Sequence, residues 1–391
     1  MRILAIETSC DETALSIIES NGSTTPTTFT VLANQVLSQI DMHKEYGGVF
    51  PAIAKREHAK ALVPLLQTTL NDAKLLELQS TAQEIPESFL TMFPQEPELL
   101  IALHDCLTWQ KPNIDALAVT SGPGLEPALW VGINFAKALS ILWNIPLYPI
   151  NHMEGHIYSS VLEKNEFGFT VPQLSFPALA LLISGGHTEL VHIEKFGVYT
   201  KIGETRDDAI GEAFDKVARL LGLEYPGGPK ISKLAAEARN ENLTNDRVPP
   251  LPRPMIHSGD LHFSFSGIKT AVLYLTQKLG DLSEDDKKAI AREFEDAVTE
   301  VVISKCKKAL NDTGAQTLVV GGGVSANTYI REHIQTLCDE QGVKAYIPER
   351  HLSTDNALMI GITALLKIQN GAQPSSLNTI RANGRLSLEQ N

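Results

Sequence analysis

Short apolar runs recur along the chain, each closed by a polar or glycine-rich turn. The first is "ILAI" (Ile3–Ile6), followed by the polar "ETSCDET" and a second apolar run, "ALSII". Two apolar runs flanking such a turn predict a β-hairpin with an acidic, hydroxyl-rich tip. The pattern returns in the middle of the chain as "PALALLI", "SGGHTE" and "LVHI". Two hairpins of one design imply two similar lobes, with tips facing one another across a cleft. Elsewhere the period changes. "KREHAKALVPLLQTTLNDAKLLEL" and "DDKKAIAREFEDAVTEVVISKCKKAL" carry apolar residues at helical spacing, the second preceded by a capping "SEDD". Further strand runs stand at "DALAVT", "PLYPI", "TLVVGG" and "KAYIP". Strands alternating with helices give an α/β fold.

Two segments break this rhythm. From Ser80 to Pro97 the chain is rich in Gln, Glu and Pro, which predicts a surface insertion or mobile loop. From "NGAQPSS" onward it is polar, which predicts a frayed tail.

Composition changes the picture at one point. The 391 residues are 43% hydrophobic and 20% charged, enough for a buried core in two or three domains. The net charge is −13, so the average surface repels polyanions. Basic clusters such as "KREHAK" and "KCKK" are short and read as solvated helix faces. Any nucleic-acid partner therefore needs a local basic patch or a helper protein. Cys10, Cys106, Cys306 and Cys338 form no C-x-x-C pair, which fits reduced thiols in a cytoplasmic protein. Cys10, in a polar turn, is the one candidate nucleophile among them. No apolar stretch is long enough to be a membrane span.

Candidate chemistry gathers in four places where glycine follows a strand-like run: "TSGPGLEPALWVG", "ISGGHTE", "EYPGGPK" and "VVGGGVSAN". Such turns let backbone N–H groups approach an anion, and four in one chain point to a nucleotide. None matches the P-loop or the dinucleotide fingerprint. Glu212 and Asp215 in "GEAFDKVARLLG" suit ribose hydroxyls, or equally the start of a helix. "LHFSFSGIKT" reads as a segment packing lobe against lobe. In "NHMEGHIYSS", His152 and His156 stand four residues apart, which on a helix puts both imidazoles on one face, about 6 Å apart at Cβ. That is a usual way to offer two ligands to a metal ion. Met153 holds the position where a metalloprotease has its glutamate, which argues against hydrolysis. Asp355 in "LSTDNALM" is the best third ligand; its alternative role is a helix N-cap.

The motifs "IETSCDET", "YGGVFPAIAKREH", "SGPGL", "HMEGH", "LLISGGHTEL", "DDAIGEAFDKVARLLGLEYPGGP", "FSFSGIKT", "VVGGGVSAN" and "STDNALMIG" follow one another in order. Together they closely resemble the tRNA N6-adenosine threonylcarbamoyltransferase family, TsaD in bacteria, from about Arg2 to Ala364. The resemblance implies a two-lobed actin-like ATPase fold, shared with sugar kinases and heat-shock chaperones, with a nucleotide cleft between the lobes. It implies lobe I at 1–148 with an insertion at about 74–111. Lobe II at 149–356 would carry most of the metal and nucleotide site, and 357–391 would return a helix to lobe I before a polar tail. It implies transfer of threonylcarbamoyl from threonylcarbamoyl-AMP to N6 of the adenosine just 3′ of the tRNA anticodon.

By the same resemblance His152, His156 and Asp355 hold one divalent metal, Fe(2+) first and Zn(2+) second. Leu182, Ile183, Ser184, Gly185, Gly186, Asp215, Gly228 and Asn327 contact substrate. Asp11 is the candidate catalytic base and Glu12 lies near it. Expected partners are tRNA, a paralogous inactive subunit and a small ATPase, with no membrane. Asn151 replaces the first histidine of the family's usual doublet, and Glu126 and Pro127 depart from its small or apolar residues. A small-molecule kinase or nucleotide-gated chaperone remains the alternative on this fold.

Overall fold

The computed structural model describes residues 1–20, 22, 26–94, 97–166 and 168–390. The chain divides into two compact units, Met1–Gln173 with Asp355–Asn391, and Leu174–Thr354.

Unit 1 is built on β1 (Arg2–Glu7), β2 (Glu12–Glu19), β3 (Thr27–Ser38), β4 (Ala116–Gly122), β5 (Leu147–Asn151), β6 (Glu163–Asn165) and β7 (Gly168–Val171). The sheet order is β5-β4-β1-β2-β3-β7-β6. β1 pairs antiparallel with β2 and parallel with β4, and β4 runs parallel to β5. The expected first hairpin is thus present. β1 is buried on both faces, which explains its unbroken apolar run. Leu4 and Ile6 join Leu15, Ile17, Leu62, Leu66, Leu129 and Ile133 in one core, under the helices Pro51–Asp72 and Glu126–Trp143. On the alternate residues the helix Ala357–Gln369 packs closely: a Cβ at Gly361 would lie 3.3 Å from that of Ala5.

Unit 2 repeats the design with β8 (Ala178–Ile183), β9 (Thr188–Lys195), β10 (Val198–Glu204), β11 (Thr317–Gly321) and β12 (Lys344–Tyr346), in the order β10-β9-β8-β11-β12. The antiparallel and parallel pairings match those of β1 to β5 strand for strand. The 30-residue helix Glu284–Thr313 covers this sheet and begins with a capping box between Ser283 and Asp286, as "SEDD" suggests.

Four expectations need correction. The units divide at 173/174 and 354/355 rather than at 148/149 and 356/357. Residues 149–173 stay with unit 1 because β5 is paired in its sheet and β7 pairs with β3. The 74–111 insertion is not merely a surface loop. Its helix Glu87–Met92 sends Phe89 into the unit 1 core, beside Phe93, Leu103, Cys106 and Trp109; residues 95 and 96 lie outside the described residues. The tail is not frayed: Ile380 and Leu388 are buried, Lys137 Nζ donates to Ile380 O at 3.0 Å, and Asn383 N donates to Ser121 O at 2.9 Å. Finally, Phe263 and Phe265 stack at 6.0 Å inside the core of unit 2 itself, and Ser266 starts a helix.

Candidate metal centre and substrate-binding turns

β5 ends at Asn151, whose Oδ1 accepts from Met153 N at 2.9 Å and Glu154 N at 3.3 Å. This N-cap starts the helix His152–Ser160, every residue of which is buried. The replacement of a histidine by Asn151 therefore has a local use. His152 and His156 lie one turn apart, with ring centroids 4.7 Å apart and planes at 89°. Both Nε2 atoms are aimed at Asp355 Oδ1, at 3.4 and 3.1 Å. The cap of the helix Ala357–Gln369 is Asn356, which accepts from Met359 N at 3.1 Å. Asp355 is left to face the imidazoles. The three donor atoms lie within 4.8 Å of one another, all in unit 1.

Glu7 completes this group, and sequence reasoning missed it. Its carboxylate is fully buried and accepts from Ser9 N at 2.5 Å and Thr120 Oγ1 at 2.6 Å. His152 Nδ1 stands 3.1 Å from Glu7 Oε2. A carboxylate oxygen accepting at this contact places the imidazole proton on Nδ1 and leaves the Nε2 lone pair for a ligand role. Two imidazoles and a carboxylate suit iron or zinc. His156 Nδ1 is buried without a partner among the described residues, so nothing there opposes a proton on Nδ1 and a metal at Nε2. Burial works against charge on His152, yet Asp355 and Glu7 outweigh it and raise its pKa well above the ordinary range. Burial likewise opposes charge on Asp355, but His152 and then His156 hold it well below the carboxylate range. The two carboxylates favour positive charge at this point, as a divalent cation would supply.

Asp11 and Glu12 sit at the β1–β2 turn. Burial, then Asp355 and Asp11, push the Glu12 carboxyl up to about 9, so it is protonated at neutral pH. Cys10 is corrected as a nucleophile candidate: burial, then Asp11, raises its thiol well above the ordinary value, and the thiolate is not formed. The turn is fixed from outside by His58, also unforeseen. His58 Nε2 is 3.0 Å from Cys10 O, and its Nδ1 is 2.8 Å from Thr13 Oγ1. Burial keeps His58 below the usual imidazole range, hence neutral. Glu154 is taken up by Lys367 at 2.9 Å.

The "SGPGL" turn is covered within unit 1. Leu125 N donates to Ser9 O at 2.7 Å and Gly124 N to Gly384 O at 3.3 Å, and a Cβ at Gly122 would collide with Asn383 O. Glu126 and Pro127 are the first two residues of a helix, with Glu126 Oε1 accepting from Gly384 N at 3.3 Å.

In unit 2, Leu182 and Ile183 are buried at the end of β8, and the exposed Gly185 and Gly186 form its turn. Ser184 Oγ accepts from Gly186 N at 3.3 Å and His187 N at 3.1 Å. Two other segments press on this turn. A Cβ at Gly211 would lie 2.8 Å from Ser184 O, and one at Gly322, with φ +90°, would meet Ile183 O. Asp215 Oδ1 accepts from Gly227 N at 2.7 Å, beside Gly228. Burial raises the Asp215 pKa despite the N–H groups of Gly227 and Gly228. Asn327 caps the helix Thr328–Gln341 and donates to Glu295 at 2.7 Å and Ser232 at 2.8 Å. Glu212 pairs with Lys216 at 2.9 Å instead of joining Asp215. The expected residues of unit 2 thus stand at one strand end, at the middle of the helix Ile210–Leu220 (Asp215) and at two helix starts (Gly228 and Asn327).

The two units carry one five-strand α/β design, β1 to β5 in the first and β8 to β12 in the second, with the same pairings in each. The family model "TsaD: tRNA N6-adenosine threonylcarbamoyltransferase" matches residues 30–81 and 98–362. A protein of that name from Variovorax paradoxus (strain S110) is 40% identical over 376 residues, 96% of this chain and 93% of that one. The chain belongs to the tRNA N6-adenosine threonylcarbamoyltransferase family, and is a transferase that modifies tRNA. Among solved structures it is similar to a ROK hexokinase from Thermus thermophilus (12% identity, TM-score 0.40, 95% of this chain and 100% of that one). It is also similar to full-length HypF in its phosphate- and nucleotide-bound form (11%, TM-score 0.49, 95% and 56%). Among the described residues no helix is long and apolar enough to cross a membrane.

Proposed function

We propose that the chain transfers threonylcarbamoyl from threonylcarbamoyl-AMP to N6 of the adenosine just 3′ of the anticodon, in tRNAs reading codons that begin with A. A bond forms between the carbamoyl carbon and N6, the bond to the phosphate oxygen breaks, and AMP leaves. The observation that carries this reading is the convergence of His152, His156 and Asp355 in a chain of this family. These three would hold one divalent metal, Fe(2+) or Zn(2+), which when bound orients and polarises the oxygens of the acyl group.

N6 is a weak nucleophile because its lone pair is delocalised into the ring, so alignment and a proton acceptor matter most. With Glu12 protonated, Asp11 is the carboxylate of the β1–β2 turn suited to take the N6 proton. Glu7 keeps its proton-accepting face on His152 and plays no part in that step. In unit 2 the Ser184–Gly186 turn binds the phosphate of the AMP moiety, with Asp215, Gly228 and Asn327 fixing the nucleoside. The net charge of −13 favours a chain that does not hold tRNA alone, and the family resemblance implies a paralogous inactive subunit and a small ATPase as its partners in the cytoplasm.

Purified protein incubated with threonylcarbamoyl-AMP and unmodified tRNA, followed by nucleoside mass spectrometry, tests the reaction. His156→Ala and Asp355→Ala are expected to lose both bound metal and transfer. Full transfer by a metal-free variant would sink the metal role.

A further inference from the structure

Unit 1 contains a cavity of about 740 Å³ lined by none of the candidate metal or substrate residues. Its walls are the insertion from Glu87 to Pro94, one face of the helix Glu126–Trp143, and the C-terminal segment at Asn378 and Arg381. The volume falls in the range of small-ligand sites. Trp130, Met92 and Phe93 give it apolar, flat surface.

Two cations meet here. Lys137 is only 3% exposed; its Nζ donates to Ile380 O at 3.0 Å and lies 5.5 Å from the Trp130 ring. Arg381 donates to the same carbonyl at 3.0 Å. Among the described residues neither forms an ion pair, and the one carboxylate in the lining, Glu87, pairs with neither. A buried lysine without a countercharge is costly, and a second cation on the same carbonyl adds repulsion. Burial, then Arg381, accordingly lowers the Lys137 pKa. An anion placed between the two relieves both costs.

We propose that this cavity binds a small organic anion, a carboxylate or phosphate on a flat apolar body, with Lys137 and Arg381 holding the charge and Trp130 the body. The family match omits residues 82–97 and everything beyond 362, which supply two of the three walls. The site does not rest on the transfer reaction.

Calorimetric titration of the full chain with phenyl phosphate, benzoate and neutral benzyl alcohol tests it. Either anion is expected to bind and the alcohol not, with the responding anion identifying the charged group preferred. Arg381→Gln, a surface change, is expected to weaken anion binding about tenfold or more, an easily resolved shift. Lys137→Met should do the same where its melting curve shows it folded. An anion bound equally by wild type and Arg381→Gln, as phenyl phosphate held elsewhere would be, overturns the proposal. So does binding of neither anion at millimolar concentration, or equal binding of benzyl alcohol.

Discussion

Glu7 is the residue on which the metal group turns, although it touches no ligand itself. It sits at the end of an apolar strand, and its three hydrogen-bond partners come from Ser9, Thr120 and His152. Replacing it with glutamine keeps the size but removes the charge, and the amide can turn an N–H toward Nδ1. The wrong tautomer of His152 then becomes available. Loss of such an outer partner typically lowers metal affinity about 10–100-fold. Glu7→Gln should show that loss in a zinc titration against a competing chelator, with circular dichroism unchanged; an unaltered affinity would mean Glu7 serves the fold alone. In the sequence the histidine pair was legible because both members lie on one helical turn. Asp355 was legible as the best third ligand, with a helix N-cap as its alternative role. Glu7 was not legible at all: its contact with His152 spans 145 residues, and a lone acid after an apolar run looks like the first residue of a turn.

At the scale of elements, hairpins and long helices were legible because each carries its own period, whereas segments stabilised by distant partners were not. The insertion is the clearest case. Phe89 and Phe93 stand among Gln, Glu and Pro, yet they complete a core formed by β1, β2 and two helices. If that packing holds the insertion in place, Phe89→Ala should cost about 3–5 kcal/mol of unit 1 stability by urea denaturation; a change below about 0.5 kcal/mol would mark it as surface decoration. The start of the helix Ser266–Leu279 offers a pH test. Asp207 Oδ1 accepts from Phe265 N at 2.8 Å and Ser266 N at 3.1 Å, and Oδ2 accepts from Ser264 and Ser266 hydroxyls at 2.6 Å. Burial raises its pKa, but these bonds outweigh burial and the net shift is downward. The folded state therefore binds fewer protons than the unfolded chain, where aspartate titrates near 3.9. The stabilisation is full above that value and is lost as pH falls through the lower, folded value. Denaturation midpoints of wild type should drop more steeply below about pH 4 than those of Asp207→Asn; parallel curves would remove Asp207 from the account.

At the scale of the whole molecule, charge and substrate pull in opposite directions. A family that modifies tRNA must bring a polyanion to its members, yet this chain carries −13. Many of its cations are spent internally: Arg239 on Glu295 and Asp296, Arg253 on Glu293 and Glu300, Lys288 on Glu241, and Lys305 on the Asp260 loop. Cations held in this way are not free to replace counterions along a phosphate backbone. A protein making six or more phosphate contacts loses about a thousandfold in affinity between 50 and 200 mM salt, because each contact releases bound counterions. The isolated chain should show a much shallower dependence, tenfold or less, corresponding to about two contacts. Filter binding of unmodified tRNA across that salt range measures the slope directly. A steep slope for the chain alone would reveal a basic face strong enough to overcome the net charge, and would remove the electrostatic reason for expecting a helper subunit. A shallow slope that steepens when a cognate subunit is added would locate the missing phosphate contacts on that subunit.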